Sequence, residues 1–170
     1  MKKILTAVLA LVLVASMTTC ALAATGLGSV TTLSATAAGE KNGTVKANVT
    51  MCAVSLDEEG KITSITFDVV QPSASFDATG AIVGEVASDV QSKRELGEAY
   101  GMKPVSAIGK EYYEQIDALE AWCIGKTVEE VVAVITEDGH IADDVDVKAS
   151  CSIKVGDLFA ALQEAASLAK

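Results

Sequence analysis

Two runs of alternating side chains, one on each side of an acidic turn, constrain this chain more than any other feature. From Thr44 onward, Val45, Ala47, Val49, Met51 and Ala53 share one face, while Thr44, Lys46, Asn48 and Thr50 share the other. After Asp57-Glu58-Glu59-Gly60 the pattern resumes from Lys61 to Val70, with Ile65, Phe67 and Val69 on one face. A period of two marks a half-buried strand, and a short Gly-containing loop between two such runs makes a β-hairpin. Pro72 ends the second strand, because proline cannot donate to a ladder. Ahead of the hairpin, Asn42-Gly43 is a turn signal. Residues 25–42, rich in Gly, Ser, Thr and Ala, are either a flexible tether or a first strand, and their β-branched content favours the strand.

Beyond the hairpin the period changes. Ile108, Tyr112, Ile116, Leu119 and Cys123 form one apolar stripe at helical spacing, which predicts a helix from about Lys110 to Ile124. Gly125 stops it, and Thr127 with Glu130 opens a second short helix through a capping box. The spacing places Tyr112, Tyr113 and Trp122 in the core rather than on an aromatic binding face. Residues 73–107 read as an ordered loop crossing the sheet, with a capping box at Ser92 and Glu95. Glu137-Asp138-Gly139 is a turn, Val147 to Val155 is expected to be extended, and Gly156-Asp157 starts a last helix with Phe159, Leu162, Ala166 and Ala169 inward. The fold class expected is α+β, an antiparallel sheet with two or three helices packed against it.

The first 23 residues read differently. Lys2 and Lys3 precede an apolar run from Ile4 to about Met17, and Ala21-Leu22-Ala23 supplies a small-x-small cleavage site. We expect a signal peptide over 1–23 and one extracytoplasmic domain over 24–170. The run is too short to cross a bilayer as an anchor, which takes about 20 apolar residues. A lipid anchor at Cys20 is the alternative, with Met17-Thr18-Thr19 a poor match to the residues that precede an acylated cysteine. Without Lys2 and Lys3 the chain carries 11 basic against 23 acidic side chains, a net of −12. Such a surface repels phosphate backbones and anionic headgroups, which argues against nucleic acid as a partner.

Candidate chemistry is sparse. Cys52, Cys123 and Cys151 are odd in number, lack CxxC spacing and have apolar neighbours, which favours buried thiols over a bridge. His140 is the sole histidine, so neither a zinc site nor a Ser/His/Asp set has support, and no catalytic residue is assigned. Asp143, Asp144 and Asp146 cluster without the spacing of a calcium loop. Phosphate-loop motifs are absent, and Asn48-Val49-Thr50 is a glycosylation sequon lying inside a strand. Ser150-Cys151-Ser152 precedes the last helix, where N–H groups and the helix dipole favour an anion such as phosphate; the alternative is that these small residues complete a strand.

Gly26-Leu27-Gly28, Asp57 to Ile62, Phe76-Asp77, Glu95-Leu96-Gly97, Tyr100-Gly101-Met102-Lys103, Ile108-Gly109-Lys110-Glu111, Gly125-Lys126-Thr127 and Ser152 to Asp157 together resemble a family of secreted proteins and lipoproteins of Gram-positive bacteria without an established biochemical activity. A looser likeness is to the FMN-binding domain of membrane electron-transfer complexes, which places a Ser-Gly-Ala-Thr type motif before a C-terminal helix. Here Ala149-Ser150-Cys151-Ser152 occupies that slot, which by resemblance puts the FMN phosphate at Ser150 and Ser152. Gly and Ala of the motif are absent, and Ser152 replaces the threonine. Three readings follow: a secreted non-catalytic domain that binds a small ligand or a cell-envelope partner, an extracytoplasmic FMN-binding electron-transfer domain, and a structural cell-surface module.

Overall fold

The computed structural model describes residues 23–170. The leader and Cys20 lie outside the described residues. Strand β1 (Ala24–Thr36) and strand β2 (Gly43–Leu56) form a long antiparallel hairpin, so residues 25–36 are strand and not tether. Strand β3 (Ile62–Val70) pairs with the second half of β2, and β4 (Ser73–Phe76) pairs with its first half. Between them Ala47 donates to the Pro72 carbonyl, so the chain crosses from β3 to β4 without leaving the same edge of β2. A two-residue β5 (Ile82–Val83) completes the antiparallel sheet. Helices α1 (Lys93–Leu96), α2 (Tyr112–Cys123), α3 (Val128–Val132) and α4 (Gly156–Leu168) give the α+β class expected from the sequence.

Local chemistry explains most of these boundaries. The β2–β3 turn is held by Asp57, whose carboxylate accepts from the N–H groups of Glu59 and Lys61. Both expected capping boxes form: Ser92 with Glu95, and Thr127 with Glu130, each side chain accepting from the other residue's backbone N–H. Residues 73–107 are less uniform than a crossing loop. They contain β4, β5, α1 and 3-10 turns at Gly97–Tyr100 and Lys103–Val105. The segment from Val147 to Val155 is not extended; a 3-10 turn over Asp146–Ala149 leads into irregular backbone. Among the described residues no strand pairs with it.

The buried face of β2 is the opposite of the one its apolar alternation marks. Thr50, Cys52 and Val54 are buried, whereas Val45 and Ala53 are exposed and Ala47, Val49 and Met51 are half-buried. Register supplies the reason. Thr50, Cys52 and Val54 stand between Val30, Gly28 and Gly26 of β1 and Val69, Phe67 and Ile65 of β3, on the one face that helices cover. Helix α4 lies on that face so closely that a Cβ on Gly26 would sit 1.8 Å from the Ala165 carbonyl oxygen, and one on Gly28 2.3 Å from that of Ala161. Accordingly α4 buries Leu158, Phe159, Ala161, Leu162 and Ala165, with the alanines against the glycines. Helix α2 closes the β3 side with Tyr112, Ile116, Leu119 and Cys123.

Helix carboxylates also blunt the open edges at β1 and β3. Glu164 of α4 accepts from Ser29 N–H at 2.6 Å on the β1 edge, and Glu120 of α2 accepts from Phe67 N–H at 2.7 Å on the β3 edge. Thr25 and Lys170 exchange backbone bonds on the same β1 edge. Because Ala161 and its carbonyl cannot move without displacing α4, Gly28→Ala overpacks the helix–strand contact. We expect it to lower unfolding free energy in urea by about 1–3 kcal/mol, and an unchanged midpoint would contradict so close an approach.

Candidate functional site

One cavity of about 400 Å³ opens where the N-termini of α2 and α4 meet the end of the β2–β3 pair. Thr50 and Val69 form its floor, Met102, Ile153 and Leu158 its apolar walls, and Lys93, Lys154 and Asp157 its charged groups. Its size falls within the range of small-ligand sites, which combine apolar walls with a few placed polar groups. Tyr100 and Tyr112 complete the lining, edge to face at 5.8 Å between centroids. The Lys93 ammonium lies 5.0 Å from the Tyr100 centroid and 4.9 Å from that of Tyr112, a cation–π contact with both rings.

Each wall is fixed by buried polar chemistry. Glu111 caps α2 and is 2% exposed; its carboxylate accepts from the N–H groups of Met102 and Lys103 at 2.9 and 2.8 Å. Burial alone would raise this carboxyl, but those donors, with the Tyr112 N–H and the Lys103 charge, hold it below the ordinary value. Gln115 is fully buried. Its oxygen accepts from the Ser152 N–H and hydroxyl, and its nitrogen donates to Ser106 Oγ and the Lys110 carbonyl. One side chain thereby joins the loop before α2 to the loop before α4. Helix α1, which carries Lys93, is anchored by Arg94 to Asp117 at 2.8 Å and to Glu120 at 3.3 Å. Asn48 and Gln71, on the rim, bond to each other at 2.6 Å.

Tyr112 is the unresolved member. It is 3% exposed, burial pushes its phenol up well beyond the ordinary tyrosine range, and its hydroxyl, near Asp68, Arg94 and Glu120, has no hydrogen-bond partner among the described residues. An unpaired buried hydroxyl costs about 1–3 kcal/mol, so a stability-only role for it is unfavourable. Neither Lys93 nor Lys154 meets a carboxylate within ion-pairing distance among the described residues. A larger cleft of about 580 Å³ lies between the hairpin turn, α3 and α4. Its charged lining residues are Glu59 and Glu129, both exposed, and it holds no unpaired buried group.

The other sequence candidates are placed as follows. Ser152 donates to Gln115 and does not line the cavity, although its neighbours Ile153 and Lys154 do; Ser150 closes the 3-10 turn before it. Cys52, Cys123 and Cys151 are free and fully buried, and burial pushes their thiols up to about 12, 12 and 11. His140 faces the Asp138 carboxylate at 3.1 Å in an exposed turn, and the bonds from Thr136 and His140 hold Asp138 down to about 2. Among the described residues no three His, Cys, Asp or Glu side chains converge as a metal site, and no helix is long and apolar enough to cross a membrane. Lys93 went unmarked by sequence reasoning, and Tyr100, Met102 and Lys154 entered only through the runs Tyr100-Gly101-Met102-Lys103 and Ser152 to Asp157, without a site role.

No family model matches the chain, and no solved structure matches it. The chain is similar to a protein named chlorophenol reductase from Desulfitobacterium hafniense, at 35% identity over 95 residues. That match covers 49% of this chain and 29% of the relative, so the chain spans less than a third of the relative's length.

Anchoring of α1 has a pH signature. Burial raises the Glu120 carboxyl above its ordinary 4.5, more than the Phe67 N–H and Arg94 lower it. The folded state therefore holds this proton more tightly than the unfolded one, and stability from this group declines as pH rises from the unfolded value through the raised folded one. Between about pH 4 and pH 7, Glu120→Gln should gain stability relative to wild type. Urea unfolding at both pH values checks this, and a relative loss by the variant would contradict the shift.

Proposed function

We propose that this protein is an exported, non-catalytic domain that binds a small ligand in the cavity between Lys93, Tyr112 and Lys154. The observation that carries this reading is a cavity with apolar and aromatic walls whose two ammonium groups meet no carboxylate within ion-pairing distance among the described residues. A core built for stability alone would fill that space. Export rests on the leader sequence, and the net negative surface supports a partner that is not nucleic acid.

A second reading, an FMN-binding electron-transfer domain, draws support from the word reductase in the relative's name and from the position of Ser150 and Ser152 ahead of α4. A flavin absorption spectrum in purified protein would favour it. As a structural surface module, the domain would use the outer face of the sheet, where Leu27 and Leu33 are 67% and 75% exposed.

A thermal-shift screen of small organic molecules tests the first reading. A ligand at one hundred times its dissociation constant stabilises the folded state by about 2.7 kcal/mol. Hits should raise the melting temperature of wild type and leave Met102→Trp and Ile153→Trp, each of which fills the cavity, unmoved. Tyr112→Phe, which removes an unpaired buried hydroxyl, should be as stable as wild type or more so. Equal shifts in wild type and both filled variants would overturn the assignment.

A further inference from the structure

Because the cavity reading names no ligand, its chemistry must come from the groups that line it. Most of the surface is acidic, with 23 carboxylate side chains against 13 basic ones in the whole chain. The cavity departs from that balance, with Lys93 and Lys154 against Asp157. Lys93 is held in place by the faces of two tyrosine rings rather than by a carboxylate, which leaves its N–H donors without a charged acceptor. Lys154 stands one residue after Ile153 and two before the first residue of α4, so the positive end of a 13-residue helix adds to its field. The remaining walls are apolar or aromatic: Val69, Tyr100, Met102, Tyr112, Ile153 and Leu158. At the rim Gln71 Nε2 donates to Asn48 Oδ1, and the Asn48 amide donates to Thr32. Thioether and ring edges favour a flat π-face over a branched aliphatic body.

We infer that the cavity takes a small aromatic monoanion, a phenolate or an aromatic carboxylate, with its charge on Lys93 and Lys154 and its ring against Tyr100 and Met102. This rests on the ligand-binding reading of the same cavity. The printed name of the similar protein, a chlorophenol reductase, concerns a molecule of the same class, although the match spans only 29% of that protein. No bond is made or broken in the cavity, and binding is reversible.

The test uses the protein with three probes: benzoate, benzyl alcohol as the uncharged counterpart, and cyclohexanecarboxylate as the non-aromatic one. Dissociation constants come from isothermal titration, with melting shifts as a second readout. Benzoate should bind more tightly than cyclohexanecarboxylate, which carries the same charge but offers no π-face to Tyr100 and Met102, and about tenfold more tightly than benzyl alcohol, since a charge-assisted hydrogen bond contributes about 1.5–3 kcal/mol and 1.4 kcal/mol is tenfold. Lys93→Met and Lys154→Met should each reduce that preference, and Lys93→Arg should keep it. Benzyl alcohol or cyclohexanecarboxylate binding as tightly as benzoate overturns the ligand class. So does a benzoate affinity untouched by both methionine variants. If none of the three binds while other screened compounds still shift wild type and not Met102→Trp, the class falls and the cavity reading stands. If no compound shifts wild type differently from the filled variants, both fall.

Discussion

Helix α4 approaches β1 with nothing between their backbones but the hydrogens of Gly26 and Gly28, and the rest of the structure is arranged around that contact. A side chain at either glycine would lift the helix away from the sheet, because the obstructing atoms are carbonyl oxygens of Ala161 and Ala165 and not flexible side chains. Close approach lets Leu158, Phe159 and Leu162 reach across to β2 and bury Cys52 and Val54. It also brings Glu164 within reach of Ser29 and Lys170 beside Thr25, so the exposed edge of β1 is partly closed by the helix that covers its face. With the axis of α4 set in this way, its first turn ends over Thr50 and Val69, and Lys154, Asp157 and Leu158 become walls of the cavity.

The opposite walls depend on buried polar groups, which are more costly to leave unpaired than apolar contacts are to lose. Glu111 and Gln115 stand four residues apart at the start of α2 and satisfy separate loops, 102–103 and 106–110 together with 152. Both are buried and both have donors or acceptors for their polar atoms, so the loop that carries Tyr100 and Met102 has a defined position despite its scarce regular structure. Against that background of satisfied groups, the Tyr112 hydroxyl and Arg94 Nη1 are the buried side-chain atoms without partners among the described residues. Arg94 has carboxylate partners through Nη2. The Tyr112 phenol lies near the charges of Asp68, Arg94 and Glu120, while the residue also lines the cavity.

Much of the fold was legible because it follows from short-range pattern. The hairpin around Asp57, the helix at Tyr112–Cys123 and the capping boxes at Ser92 and Thr127 are set by residues within a few positions of one another. Where long-range packing decides, local pattern misled. Valines and a methionine on the odd face of β2 read as the inward set, yet the glycines of β1 determine which face a helix can approach, and they lie opposite Val54 and Cys52. Val147 to Val155 has the composition of a strand but no neighbouring edge to pair with. The expected inward set of α4 missed Ala161 and Ala165 for the same reason, since alanine is indispensable there only because glycine faces it. The site was the least legible part. Helical spacing rightly placed Tyr112 in the core, but Tyr113, expected there too, is half-buried and donates to Glu98, and Tyr112, Lys93 and Lys154 come together around the cavity only in three dimensions.

Backbone amide shifts in a ¹H–¹⁵N correlation spectrum, recorded while benzoate is titrated into the protein, test the central claim most directly. Binding in the cavity predicts saturable changes confined to residues 48–50, 69–71, 93–102, 112 and 153–158, the segments that form its walls. Changes centred instead on Glu59, Glu129 and Gln163, or on the outer sheet face around Leu27 and Leu33, would contradict the assignment of the cavity as the functional site, and no change at any residue would contradict an aromatic monoanion as its ligand.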